Sequence, residues 1–220
     1  MNIAIRVFAP IKMGKIADIA LLSGFALLAS SALLFSNAAL AQEITSFESA
    51  NVEAPFADFG ISEFRAGVLL HSIDENGPNG ELLNLTRLQN INFELLFRSP
   101  DMDAFRWIGS PRPIIGLTAN LGGLESMAYM ALTWQVPLFD SAFFVEASFG
   151  AAISNGALNG AVFPARNLGC ELNFYEAGAI GMNIDDNITV LLSLEHASNA
   201  KLCSPNRGLT NLGVKLGYKF

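Results

Sequence analysis

The stretch NLGVKLGYKF, residues 211–220, decides how the rest of the chain is read. Leu212, Val214, Leu216, Tyr218 and Phe220 share one parity, and Asn211, Gly213, Lys215, Gly217 and Lys219 share the other. Successive side chains of a β-strand point to opposite faces, so this segment is a strand with one apolar face and one face of small and charged groups.

The same rule works outward from that strand. Phe64, Ala66, Val68 and Leu70 alternate with Glu63, Arg65, Gly67 and His71, and Leu69 is the one apolar exception on the polar face. Ile91, Phe93, Leu95 and Phe97 alternate with Asn90, Asn92 and Glu94. Further strands are predicted at 113–121 and 128–138, the latter setting Met130, Leu132, Trp134 and Val136 against Tyr129, Thr133 and Gln135. Phe143, Val145, Ala147, Phe149 and Ile153 oppose Glu146, Ser148, Gly150 and Ser154, and strands at about 170–184, 187–198 and 209–220 complete a set of eight.

A soluble sandwich also alternates, but it hides its apolar face in a core. Here the polar parity carries small residues together with Glu94, Glu146 and Lys215, which is what the filled interior of a narrow barrel needs. Segments of about 10 residues with this pattern predict an all-β, eight-stranded antiparallel transmembrane β-barrel. The last strand, ending on Phe220, resembles the assembly signal of bacterial outer-membrane barrels.

Composition agrees. Of 220 residues, 51% are hydrophobic and only 15% charged, yet the continuous apolar content is concentrated before residue 42. There Arg6, Lys12 and Lys15 precede an apolar run from about Ile19 to Phe35 and the small-residue ending Ala39-Leu40-Ala41, the layout of a cleaved signal peptide over 1–41. Residues 42–58 read as a periplasmic lead-in and 59–220 as the barrel. After Ala41 the longest uncharged run, Ala147 to Ala165, is broken by Asn155, Gly156, Asn159, Gly160 and Pro164, so no membrane-spanning helix is expected. The net charge of −7, more acidic once the leader is removed, argues against a nucleic-acid partner. Outer-membrane lipids are the expected surroundings.

With both ends periplasmic, the outer loops fall near 72–84, 122–125, 155–169 and 199–208. The turn Asp185-Asp186-Asn187 is short, and if Ile184 pairs with Ile188, stepping outward along both strands brings Cys170 opposite Leu202, next to Cys203. Both cysteines then lie at the outer end in an oxidising compartment, where a Cys170–Cys203 bridge can form, two free thiols being the alternative.

The same register brings Glu176 opposite His196. On that strand the apolar stripe Ile188, Val190, Leu192, Leu194 gives way to His196 and Ser198 on one face. Polar groups on the lipid face are costly near the midplane and tolerated at the rim, so these residues either mark the edge of the hydrocarbon or perform chemistry. Opposed side chains in an antiparallel pair have Cβ atoms roughly 4.5–5.5 Å apart. Glu176, His196 and Ser198 therefore make a candidate orienting acid, base and nucleophile, with Asn199 as a candidate oxyanion donor.

Glu195-His196-Ala197-Ser198-Asn199-Ala200, at the outer end of the penultimate strand, resembles the His-x-Ser-Asn motif of the outer-membrane lipid A 3-O-deacylases, the PagL family. The similarity extends less specifically through Pro205-Asn206-Arg207-Gly208 to Phe220 and over Phe143 to Gly156. The resemblance implies a serine esterase on the outer wall of the barrel at the level of the outer leaflet, removing the 3-O-linked acyl chain of lipid A. It implies lipid A or lipopolysaccharide as substrate and no cofactor, and it assigns Ser198 as nucleophile, His196 as general base and Asn199 as oxyanion donor.

Two positions depart from the family pattern. The glutamate expected fourteen residues after the motif histidine is Thr210, which carries no charge and predicts a weakened activity. The glycine expected two residues after the motif asparagine is Lys201. Glu176 is the candidate replacement for the missing acid, the alternative being that Thr210 orients His196 without charge, at a cost in rate. The competing function is a noncatalytic small barrel, structural or surface-interacting. Acyl transfer would need a site inside the barrel, where nothing in the sequence resembles one.

Other polar residues have plainer readings. His71 belongs on the interior or in the first loop, no Cys/His spacing suggests a metal, and Asp185-Asp186 is turn chemistry. Trp107 and Trp134 fall near the membrane borders. The sequence leaves a homodimer in the membrane open.

Overall fold

A computed structural model describes residues 60–74, 83–139 and 142–220. The leader and the lead-in to residue 58 lie outside the described residues. Eight strands form a closed barrel in sequence order: β1 (Ile61–Leu70), β2 (Leu88–Phe97), β3 (Arg112–Asn120), β4 (Met127–Pro137), β5 (Phe143–Ser154), β6 (Leu172–Asn183), β7 (Ile188–Ser198) and β8 (Leu209–Lys219). Every neighbouring pair is antiparallel, and β1 closes on β8 with Arg65 opposite Gly217. At about 3.3 Å per residue and a tilt of about 45°, strands of 9 to 12 residues cover a hydrocarbon band of about 25 Å.

The two parities separate as the alternation requires. Val68, Phe93, Ile115, Met130, Phe149, Ile180, Leu192, Val214 and Leu216 are exposed on the outer wall, while Glu63, Arg65, Asn92, Glu94, Glu146, Glu195 and Lys215 are buried inside. A buried charge is tolerated only when paired and hydrogen-bonded, and the interior meets that condition. Arg65 donates from Nε to Glu63 at 2.7 Å and from both terminal nitrogens to Glu146 on the opposite wall, at 2.7 and 2.8 Å. Lys215 binds Glu94, which also accepts from the Tyr129 hydroxyl at 2.6 Å. Glu195 accepts from Thr118, across the barrel, at 2.8 Å and from Asn211 at 3.0 Å.

Leu69, the apolar residue on the polar parity, is fully buried. It fits because Gly213 lies opposite it on β8, where any Cβ would meet Leu69 Cα at 2.6 Å and Cγ at 2.7 Å. At the inner end, Asp185 Oδ1 accepts from the backbone N–H of Asn187 and Ile188 at 2.8 and 2.7 Å, and Ile184 N–H donates to Ile188 O at 2.9 Å. The side chain thus supplies the turn and fixes the register of β6 on β7. Between β2 and β3 a five-residue helix, α1 (Asp103–Trp107), ends in the exposed Trp107. Trp134 Nε1 on β4 donates to the carbonyl of Ile108 just beyond it, at 2.7 Å.

Candidate active site

The β6–β7 register pairs Glu176 with His196 and Phe174 with Ser198. On the other side of β7, His196 pairs with Thr210 and Ala197 with Leu209. Two rows of outward side chains therefore run across four strands near the outer rim. The inner row is Phe149, Glu176, His196, Thr210, and the outer row is Ala151, Phe174, Ser198, with Gly208 at the next step of β8. Rows two residues apart on a strand are separated by about 6.6 Å, a gap that a side chain as long as histidine crosses by leaning outward.

His196 leans in this way. Its Nδ1 lies 2.8 Å from the hydroxyl of the buried Thr210, and the far edge of the ring rests on Gly208, at the level of Ser198. Gly208 has φ +60°, a conformation that favours glycine, and the missing side chain is the space the imidazole uses. With Nδ1 engaged toward β8, Nε2 is the nitrogen directed to the outer row.

Glu176 stands on the β6 flank of the same histidine, directly opposite it. The residue that touches Nδ1 is Thr210, at the position where the family pattern has an acid. The sequence leaves open whether Glu176 or Thr210 orients His196; in the structure the Thr210 hydroxyl lies within hydrogen-bond distance of Nδ1.

Asn199 belongs to the inward parity and is buried. Its Nδ2 donates to Leu168 O at 2.6 Å, and its backbone N–H donates to Asn206 Oδ1 at 3.2 Å. The side-chain amide of this candidate oxyanion donor is thus engaged in tying the end of β7 to the third outer loop. After it, Leu202 N–H donates to Asn199 O at 2.9 Å, and the two central residues, Ala200 and Lys201, have φ +50° and +68°. This is a tight turn with both central residues left-handed. Its own hydrogen bond uses neither central N–H, so the turn presents two backbone donors immediately after Ser198.

Cys170 and Cys203 are joined in a disulfide with Cα atoms 5.8 Å apart. The bridge pins the 199–208 loop to the start of β6. Cys170, Leu172, Phe174, Ala151 and Leu202 line an almost wholly apolar groove with Asn199 at its edge. Phe174 joins this groove to Ser198.

Arg166, fully buried in the third outer loop, ties the loops together. It donates from Nε to Ser72 Oγ at 2.6 Å, from Nη1 to Arg207 O at 3.1 Å and from Nη2 to Asp74 Oδ1 at 2.6 Å. Its backbone N–H donates to Glu125, whose other oxygen lies 3.0 Å from His71 Nε2. Burial alone would raise the Glu125 carboxyl, but the hydrogen bonds from His71 and the Arg166 N–H outweigh it and hold the group below its ordinary range. No group of metal-binding side chains occurs among the described residues.

A family model described as "Lipid A 3-O-deacylase (PagL)" matches residues 102–219. Among solved structures the chain is similar to the outer membrane enzyme PagL, with a TM-score of 0.49 and 19% identity over 71% of this chain and 98% of that one. It is also similar to the N-terminal β-barrel domain of Pseudomonas aeruginosa OprF, with a TM-score of 0.47 and 8% identity over 73% and 98% of the two chains. Ail of Yersinia pestis gives a TM-score of 0.42 and 13% identity over 73% and 99%. No curated protein matches the sequence.

Proposed function

The chain belongs to the PagL family of lipid A 3-O-deacylases, and on that premise we propose that this outer-membrane barrel hydrolyses the 3-O-linked ester of lipid A with Ser198 as nucleophile and His196 as general base. The observation that supports the proposal is the pair of lateral rows, in which Ser198 belongs to the row next to an imidazole whose Nδ1 meets Thr210 and whose far edge rests on Gly208.

The reaction follows from that arrangement. With the proton on Nδ1, the ring donates a hydrogen bond to the Thr210 hydroxyl and Nε2 carries the basic lone pair. Ser198 Oγ bonds to the ester carbonyl carbon while its proton passes to Nε2, and the carbonyl oxygen becomes an oxyanion. In this mechanism the backbone N–H groups of Ala200 and Lys201 receive that charge, and Asn199 contributes through the turn it anchors. Collapse breaks the bond to the sugar oxygen, which takes the proton from Nε2 and leaves as the free 3-hydroxyl. Water, deprotonated by the same nitrogen, then releases the fatty acid from Ser198 and restores the hydroxyl.

Location and chemistry agree. The ester of a lipid lies at the boundary between sugar and hydrocarbon, and an outward site at the rim meets it without drawing the acyl chain out of the membrane. The apolar groove beside Ser198, lined by Leu172, Phe174 and Leu202, gives the departing chain an apolar wall. Glu176, on the β6 flank, adds negative charge beside the base.

The test is mass spectrometry of lipid A from cells with and without the protein, alongside Ser198→Ala. Loss of one ester-linked hydroxyacyl chain only with intact Ser198 supports the reading. Unchanged lipid A in every strain favours a noncatalytic barrel. Within a working enzyme, Glu176→Ala should lower activity markedly, and near-normal turnover removes Glu176 from the site.

A further inference from the structure

The periplasmic rim of the barrel leaves large apolar side chains uncovered where β2 connects to β3 and β4 to β5. In the first connection Met102 and Trp107 are 56% and 84% exposed, and in the second Phe139 is 93% exposed. Contiguous apolar groups this open mark a surface that something else covers.

Trp107 is held in place. The helix α1 closes with a Schellman cap, in which Ser110 N–H donates to Phe105 O at 2.7 Å and Gly109 N–H to Arg106 O at 3.2 Å, with Gly109 at φ +89°. The cap turns the chain back along the barrel. Trp134, on the outward parity of β4, donates from Nε1 to Ile108 O at 2.7 Å, and a Cβ at Gly109 would lie 3.5 Å from its ring. Residues 108 and 109 therefore rest on the lipid-facing wall itself, and Met102 and Trp107 extend that wall past the ends of the strands. Phe139 follows the end of β4, at φ +54°, a conformation that bulky residues rarely adopt.

The polar groups of this corner restrict what covers it. Arg106 pairs with Asp101 at 2.5 Å and with Asp103 at 2.9 Å, and all three side chains are well exposed. With Arg98, the segment 98–107 carries two positive and two negative side chains, so it neither needs nor repels an anionic surface. An indole, apolar in its body and polar at its N–H, settles at the boundary between headgroups and hydrocarbon.

We propose that this corner docks on the phospholipid leaflet at the periplasmic side, with Trp107 and Phe139 seated between zwitterionic headgroups and acyl chains. The surface is continuous with the wall that already faces lipid, through the contact of Trp134 with Ile108 and Gly109. It stands apart from the esterase reading, since Ser198 lies at the outer end of β7 and α1 at the inner end of β4. A periplasmic protein as occupant would leave the same residues in water once the barrel stands alone in a bilayer, which separates the two cases.

The experiment uses the barrel labelled with 5-fluorotryptophan in phosphatidylcholine nanodiscs, whose two faces are both open to solution. The chain has two tryptophans, so the parent protein gives two fluorine resonances, and Trp107→Phe assigns them. Phospholipid carrying a nitroxide at the headgroup should broaden the Trp107 resonance severalfold more than a water-soluble gadolinium chelate does. Phe139→Trp adds a third resonance, which should respond in the same order. Adding phosphatidylglycerol should change neither response. A chelate that broadens either resonance more than the nitroxide lipid overturns the proposal. Shielding that appears only with phosphatidylglycerol overturns it as well, because charge would then hold the corner to the membrane.

Discussion

A Cβ at position 208 would stand 2.9 Å from Cε1 and 3.4 Å from Nε2 of His196, so the imidazole occupies space that only the absence of a side chain leaves open. Gly208→Ala is therefore expected to displace the ring from the level of Ser198. Displacements on the order of 1 Å cost about a hundredfold in rate. Steady-state hydrolysis by the purified variant, with circular dichroism to show an intact barrel, checks this; an unchanged kcat would mean that the ring works from another position.

Thr210→Val keeps the shape of the side chain and removes the only atom of it that meets Nδ1. Losing one buried hydrogen bond of about 1–1.5 kcal/mol should lower kcat about tenfold. KM should hold, since Thr210 is buried behind the ring. A rise in KM with kcat unchanged would point to a substrate contact instead.

Lys201 at φ +68° is a non-glycine residue in a left-handed conformation, at a cost of about 1 kcal/mol. Lys201→Gly removes that cost while leaving the backbone N–H in place. The variant should keep its activity and resist denaturation of the outer loop slightly better, measured by protease cleavage within 199–208. A large loss of turnover would assign the lysine side chain itself to substrate binding.

The disulfide spans a sequence separation of 33 residues, and closing a loop of that size restricts the unfolded chain by about 3–4 kcal/mol. Cys170→Ser with Cys203→Ser should lower the melting temperature and loosen the wall formed by Leu172, Phe174 and Leu202. Activity should fall mainly through KM. Equal KM values for oxidised and doubly substituted protein would show that the groove keeps its shape without the bridge.

Acidification should release the outer loops before it opens the barrel. The Glu125 carboxyl titrates below its ordinary value of 4.5 in the folded protein, so its contribution is present in full above that pH and is lost as pH falls through the lower folded value. Protease sensitivity of the loops should rise below about pH 4.5. Glu125→Gln should flatten that dependence, and a dependence as steep as in the parent protein would place the responsible group elsewhere.

The sequence carried the barrel and the β6–β7 register because both follow from local rules. Alternation placed Glu94, Glu146 and Lys215 inside, and the short Asp185 turn fixed which residue faces His196. Glu176 and Thr210 were both legible as groups flanking His196, but not which of them meets Nδ1, because that depends on which way the ring rotates. Arg166 and Asp74 were not legible at all. Each lies in an outer loop with no periodicity, and they meet across a sequence separation of 92 residues. Asn199 looked like an oxyanion donor from its place after Ser198, yet parity alone sends its side chain inward.

Arg65 on β1 reaches Glu146 on β5, and Thr118 on β3 reaches Glu195 on β7, each pair bridging strands half a circumference apart. Such crossbars obstruct the bore where a porin would have water. A barrel barred in this way keeps events on its outer wall separate from passage through its interior.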